Sequence, residues 1–175
     1  MKNKVAILIG SETDRPTLEA ANQYYEYFDI DFEIKVLSAH RNPLEVHEFC
    51  TAAPSNGYKI LIGAAGMAAH LAGAIKANSI LPVIGIPLEG GVLTGLDSLL
   101  STLQMPKGVP VATMSVGKSG AINAAILCAE IFALNDKDLQ SRLIEFKNNA
   151  TRWLIILTFL SLIISGLMIK NLFFG

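Results

Sequence analysis

Residues 38–43, Ser-Ala-His-Arg-Asn-Pro, set a histidine beside an arginine between an apolar run at 32–37 and a helix start. Histidine takes or gives a proton near neutral pH, and arginine offers a planar fork to phosphate or carboxylate. His40 and Arg41 therefore combine acid/base and anion-binding capacity at a strand-to-helix turn, where open α/β sheets bind ligands. The same six residues also read as a helix cap with a solvated arginine, so context must decide. A second polar turn, residues 10–16, carries Ser11, Thr13 and Asp14. Hydroxyls and helix-start amides suit a phosphate, and the Asp14 carboxylate suits a ribose diol. His70 lies in a run of small residues, 67–74, one turn into an expected helix. It reads either as a member of the same site or as a core histidine satisfied by a backbone carbonyl. His47 falls off the apolar stripe of its helix and reads as a surface residue. No group has metal-ligand spacing, and the absence of a GxGxxG fingerprint argues against a dinucleotide.

The elements that must position these residues follow from hydrophobic period. Residues 5–9, 32–37, 60–62, 81–86 and 111–116 are short apolar runs of the kind buried on both faces of a parallel sheet. Between them, apolar residues recur at helical spacing: Leu18, Ala21, Tyr25 and Phe28; then Val46, Phe49, Cys50 and Ala53; then residues 96–103, opening near Gly95; then Ile122, Ala125, Ile126 and Ala129. Asn42, Pro43 and Glu45 have the pattern of an N-cap, a first helical residue and the third residue of a capping box. Asp136 caps a last helix on which Leu139, Leu143 and Phe146 are periodic. Five strands alternating with helices predict an α/β fold: a flavodoxin-like, doubly wound parallel sheet in the order 2-1-3-4-5, three layers deep. In that order the turns after strands one, two and three meet at one edge. They gather Ser11, Thr13, Asp14, Ser38, Ala39, His40, Arg41 and the 63–66 turn around one pocket. The glycine-bearing loop at 88–94 is placed to serve as a lid.

The 175 residues suit one domain with an ordinary core, and a net charge of -1 gives no basic surface for nucleic acid. Cys50 and Cys128 lie in apolar helical patterns and form no C-x-x-C pair, which predicts reduced, buried thiols in a cytoplasmic protein. Residues 1–4 lead straight into a strand pattern, so no signal peptide is expected.

Seven motifs occur in order: Gly10-Ser-x-Thr-Asp14, Ser38-Ala-His-Arg-x-Pro43, Gly66-x-Ala-Ala-His-Leu71, Leu81-Pro-Val-Ile-Gly-x-Pro87, Gly95-x-Asp-Ser-Leu-Leu100, Gln104-Met-Pro106 and Asn123-Ala-Ala125. Together they resemble the PurE family, the N5-carboxyaminoimidazole ribonucleotide mutases of purine biosynthesis, over about residues 4–148. The Ala-Ala-His-Leu segment resembles the bacterial mutase branch rather than the branch that carboxylates aminoimidazole ribonucleotide with free CO2. The resemblance implies a catalytic domain over 1–148, a homo-octamer, a ribonucleotide substrate, and no metal or organic cofactor. It implies a carboxyl transfer from the exocyclic nitrogen of the imidazole to a ring carbon. By position, His40 is the general acid/base and His70 lines the same site. Ser11, Thr13, Asp14, Ser38 and Arg41 hold the ribose phosphate, and Ala39, Gly66, Ala68 and Leu71 complete the substrate pocket. Thr13 stands where the family usually has serine, which keeps the hydroxyl and adds a methyl. A flavodoxin-like binding module for a flavin phosphate is the rival from another class.

The tail, residues 149–175, departs from the family. Residues 153–169 carry no charge and are bracketed by Arg152 and Lys170. As a helix this run spans about 26 Å, slightly short of the ~30 Å hydrocarbon core of a bilayer, and snorkelling by the bracketing cations covers the difference. The excess of cations before the run faces the catalytic domain to the cytoplasm. The run reads as a membrane anchor, as an apolar helix buried between subunits, or as an out-of-frame end. Ser161 and Ser165 have the small-xxx-small spacing that suits helix packing under either of the first two.

Overall fold

The computed structural model describes residues 3–149. A first compact unit spans Met1–Phe132 and a second begins at Ala133.

In the first unit, five strands form one parallel sheet: β1 (Lys4–Ile9), β2 (Asp31–Val36), β3 (Ile60–Ala65), β4 (Val83–Pro87) and β5 (Ala112–Thr113), in the order β2-β1-β3-β4-β5. This is the expected order. Residues Val5 to Ile9 of the central β1 are 0–1% exposed, because a strand with neighbours on both edges and helices on both faces has no solvated side. The edge strand β2 is only half-buried, its Phe32 stacking on Tyr25 with ring centroids 4.7 Å apart.

The helices are α1 (Arg15–Glu19), α2 (Asn22–Tyr27), α3 (Pro43–Ala52), α4 (Leu71–Ala77), α5 (Leu96–Leu103) and α6 (Lys118–Ala133). Where one helix was expected after β1, a 3-10 turn (Glu12–Asp14) and two short helices follow, with a break at Ala20 and Ala21. β3 continues through Ala65 instead of ending at Ile62, while β5 is reduced to two paired residues. The Asn42 capping box does not form: Asn42 makes no side-chain bond to the helix backbone, and its Nδ2 donates to Glu45 Oε1 at 3.3 Å instead. Pro43 still opens α3 as expected, and Val46 and Cys50 are buried.

The buried face of α6 is not led by Ile122 and Ile126, which are half-exposed, but by Ala121, Ala124, Ala125, Cys128 and Ala129. Small residues bring the helix axis close to the sheet. The same device seats α4. Gly63 and Gly85 are register partners on β3 and β4, and a Cβ at Gly63 would lie 2.8 Å from Ala72 Cα. One at Gly85 would lie 3.3 Å from Ala72 Cβ. Ala72 thus rides in a side-chain-free trough, which fixes where α4 begins. Both cysteines are free and buried. Burial pushes the Cys50 thiol up to about 11 and Cys128 much further, so neither is a nucleophile at neutral pH.

Of the second unit, residues 137–149 form a helix, α7. Asp136 caps it, its Oδ1 accepting from the N–H groups of Asp138 at 3.1 Å and Leu139 at 3.0 Å. Among the described residues no helix is long and apolar enough to cross a membrane; the run 153–169 lies outside them.

Candidate active site

The order β2-β1-β3 brings three turns together at the carboxyl edge of the sheet. The turn after β1 starts at Gly10. The Ser11 hydroxyl accepts from Thr13 N–H at 3.3 Å, and the Asp14 carboxylate accepts from Ser11 N–H at 3.1 Å, a reciprocal cap that closes the 3-10 turn. Thr13 Oγ1 lies 2.9 Å from Ser11 Oγ. One oxygen of Asp14 is thus spent on its own turn. Partial burial raises the Asp14 pKa, and the Ser11 amide and the Arg41 charge pull it back down.

The turn after β2 carries Ser38, Ala39, His40 and Arg41. Ser38 is buried, and its hydroxyl accepts from Arg41 N–H at 3.4 Å. The Arg41 guanidinium donates from Nη2 to the Gly10 carbonyl, tying the second turn to the first. Its other N–H groups remain for an anion.

The turn after β3 corrects one expectation. His70 is not one turn into a helix; it is the residue before α4 begins at Leu71. Met67 adopts a left-handed conformation with φ 53°, and the N–H groups of Ala69 and His70 fold back onto the carbonyls of Met67 (2.9 Å) and Ala68 (2.8 Å). These tight turns delay the helix and swing His70 toward the second turn. There His40 Nε2 and His70 Nδ1 are 2.9 Å apart, one ring nitrogen donating to the other, with the rings edge-to-face. Both histidines are exposed, so the proton between them is accessible to a ligand. The core-histidine reading of His70 is set aside, since its ring partner is another exposed imidazole. His47 is a surface residue, as expected, paired to Asn78 Oδ1 at 2.7 Å.

Around this edge lies a cavity of about 540 Å³. Ser11, Thr13, Asp14, Ser38, Ala39, His40, Arg41, Gly66, Ala68 and Leu71 all line it. His70 joins through its bond to His40. Met67, Glu89 and Gly90 also line the cavity; none was expected as a binding residue, although the last two belong to the 88–94 loop expected as a lid. The signal for the last two was their place directly after β4, at the same sheet edge. The loop holding them is tied down by Ser98 of α5, whose hydroxyl lies 2.7 Å from the Leu88 carbonyl and 2.9 Å from that of Gly95.

Two exposed, hydrogen-bonded histidines next to an arginine and a hydroxyl-rich turn, at the edge of a flavodoxin-like sheet, have the chemistry an α/β enzyme needs for a small anionic substrate. Comparison with known proteins narrows the class. The profile of the family described as AIR carboxylase matches residues 4–152, and the chain belongs to that family. It is 43% identical over 148 residues to the N5-carboxyaminoimidazole ribonucleotide mutase of Escherichia coli K12, covering 85% of this chain and 88% of that protein. The protein of the same name from Bacillus subtilis 168 is 45% identical over 149 residues, covering 85% and 92%. Among solved structures, Treponema denticola PurE matches with a TM-score of 0.80 at 26% identity, over 88% of this chain and 95% of that one. The resemblance read from the seven motifs is thereby borne out.

Proposed function

We propose that the domain at 1–148 is an N5-carboxyaminoimidazole ribonucleotide mutase of purine biosynthesis. The observation that carries the reading is the 2.9 Å bond between His40 and His70 beside the Arg41 turn. The relatives that bear this name, at 43–45% identity, supply the substrate. Ser11, Thr13 and Arg41 hold the ribose phosphate, and Asp14 faces the ribose. The imidazole then lies across the histidine pair. His40 gives a proton to the exocyclic nitrogen as its bond to the carboxyl carbon breaks, releasing CO2 and aminoimidazole ribonucleotide in the pocket. The ring carbon attacks that CO2, and the proton it must shed to regain aromaticity returns to His40. One proton is given and one recovered, so the cycle closes without metal or cofactor. Holding CO2 against the ring is a proximity effect worth on the order of 7–11 kcal/mol at best.

The test is conversion of N5-carboxyaminoimidazole ribonucleotide to its carbon-carboxylated isomer by the purified chain, with aminoimidazole ribonucleotide plus bicarbonate in parallel. Turnover of the first alone is expected. Turnover of the second alone would instead make it a direct carboxylase, the activity the family's description names. A yellow protein inactive on both would favour the flavin-binding module.

A homo-octamer is part of the proposal. Leu96, Leu100 and Leu103 are 53%, 47% and 53% exposed on one face of α5, and Val92 in the preceding loop is 95% exposed. A leucine stripe of this kind is characteristic of surfaces covered by a partner. Leu100→Asp is expected to convert an octamer-sized species to smaller ones in sedimentation velocity; an unchanged sedimentation coefficient would rule this face out.

The domain is proposed to lie in the cytoplasm, a reading supported by the fact that a charged ribonucleotide does not cross bilayers. The apolar run 153–169 is proposed as an anchor at that membrane's inner face. The full chain is expected in the membrane fraction, released by detergent and not by salt, whereas a single octamer-sized species in detergent-free buffer would assign the run to subunit packing.

A further inference from the structure

We infer that Ser101, on α5 and outside the pocket lining, is a positioning residue for the histidine pair. The inference rests on the proposed use of that pair in catalysis.

The turn at residues 67–70 cannot hold its own shape well. It places a non-glycine residue, Met67, at φ 53°, a region that costs most residues energy. Its internal bonds span only two residues, Ala69 to Met67 and His70 to Ala68. Bonds of that span bend far from linearity and are weak. Yet His70 must come out of this turn at a fixed angle, because its ring nitrogen meets that of His40 at 2.9 Å.

The outside support comes from one hydroxyl. Ala69 N–H, shared with the Met67 carbonyl, also donates to Ser101 Oγ at 3.1 Å. Ser101 Oγ in turn lies 2.6 Å from the Asp97 carbonyl one helical turn back, and 3.3 Å from the Met67 carbonyl. A serine hydroxyl has one proton and two lone pairs. Donating to Asp97 leaves it free to accept from Ala69, and rotating that proton to Met67 holds the turn by a second route. Ala69 is 2% exposed while Ser101 is half-buried; without the hydroxyl the buried amide keeps only its bent bond to Met67. The hydroxyl therefore fastens the turn to α5, which Ser98 fastens in turn to the end of β4.

The test is kinetic. Ser101→Ala is expected to lower kcat about tenfold with KM changed less than about twofold, because the phosphate-binding turn is untouched. Ser101→Thr, which keeps the hydroxyl, is expected to restore most of the rate. In a His70→Asn background Ser101→Ala is expected to have almost no further effect, since residues acting through one group are not additive. Wild-type kcat in Ser101→Ala would overturn the inference, as would an equal loss with and without His70. Should the alanine variant fail to fold, Ser101→Cys, similar in size and a poor acceptor, is read in the same way. These outcomes differ from failure of the functional reading, in which the unmodified chain itself turns over neither substrate.

Discussion

His40→Asn is expected to bind the ribonucleotide almost as well as the unmodified chain and to lose turnover by about 10²–10⁴-fold, the usual contribution of a positioned acid/base group. Asparagine is polar and smaller than imidazole, so it fits without a clash, but its amide nitrogen falls at the Nδ1 position and gives up the 2.9 Å contact between the native Nε2 and His70 Nδ1. The pocket keeps its shape. What disappears is a group that can carry a proton away and bring it back. The contacts assigned to the phosphate come from other residues, Ser11 and Thr13 after β1 and Arg41 after β2, all lining the same cavity. Equilibrium binding of the carbon-carboxylated ribonucleotide is therefore expected within a fewfold of normal, while single-turnover conversion falls by orders of magnitude. A variant within tenfold of the native rate would remove His40 from the chemistry and leave the pair as scaffolding.

Gly120→Ala is expected to cost at least about 3 kcal/mol of stability, at or above the top of the usual range for overpacking. Gly120 lies in the first turn of α6 and is buried. A Cβ there would overlap the Ser115 carbonyl oxygen and sit 3.2 Å from Ile86 Cγ2. A side chain could rotate away; a backbone carbonyl on the approach to the helix cannot, so α6 itself must shift. That helix is seated through Ala121, Ala124, Ala125 and Ala129, each 0–1% exposed, and a shift opens the whole contact. The gain in helix propensity, roughly 0.5–1 kcal/mol, is smaller. A drop in Tm of about 6–12 °C follows for a domain of this size. Gly73→Ala in α4 is the control: its Cβ would meet only the flexible end of Met105, at 3.2 Å from Cε. It is expected to leave Tm unchanged or slightly raised. Equal behaviour of the two variants would refute the argument from the Ser115 carbonyl.

Much of the site was legible because its residues are local. Ser38 to Arg41 follow a strand and precede a proline, and Ser11 to Asp14 occupy a turn whose polar residues have no helical period. Their side chains needed no distant partner to be recognised as ligand-binding types. His70 was harder. The small residues after β3 correctly signalled a close helix, but where that helix starts depends on Met67 turning left-handed, which helical spacing does not predict. Glu89 was read only as part of the glycine-bearing loop at 88–94; the register of β4 beside β3 brings it to the cavity.

The sequence by itself determined the existence of five strands, their parallel order and the three turns at the carboxyl edge, since short, largely apolar runs of three to six residues separated by helices leave few other arrangements. Only the tertiary structure decided that His40 and His70, 30 residues apart, share a hydrogen bond, because the left-handed Met67 sets where the turn after β3 releases His70. It also decided the facing of α5. Hydrophobic period alone would turn Leu96, Leu100 and Leu103 inward. They face out, while Ser98 and Thr102 are buried at 0% and 2%. The physical reason is that α5 packs onto β4 at Gly85, where Thr102 is already in contact. Small hydroxyl side chains fit that space and find carbonyls within reach, at Leu88 for Ser98 and at Ser98 for Thr102. Leucine would fit neither the space nor the carbonyls.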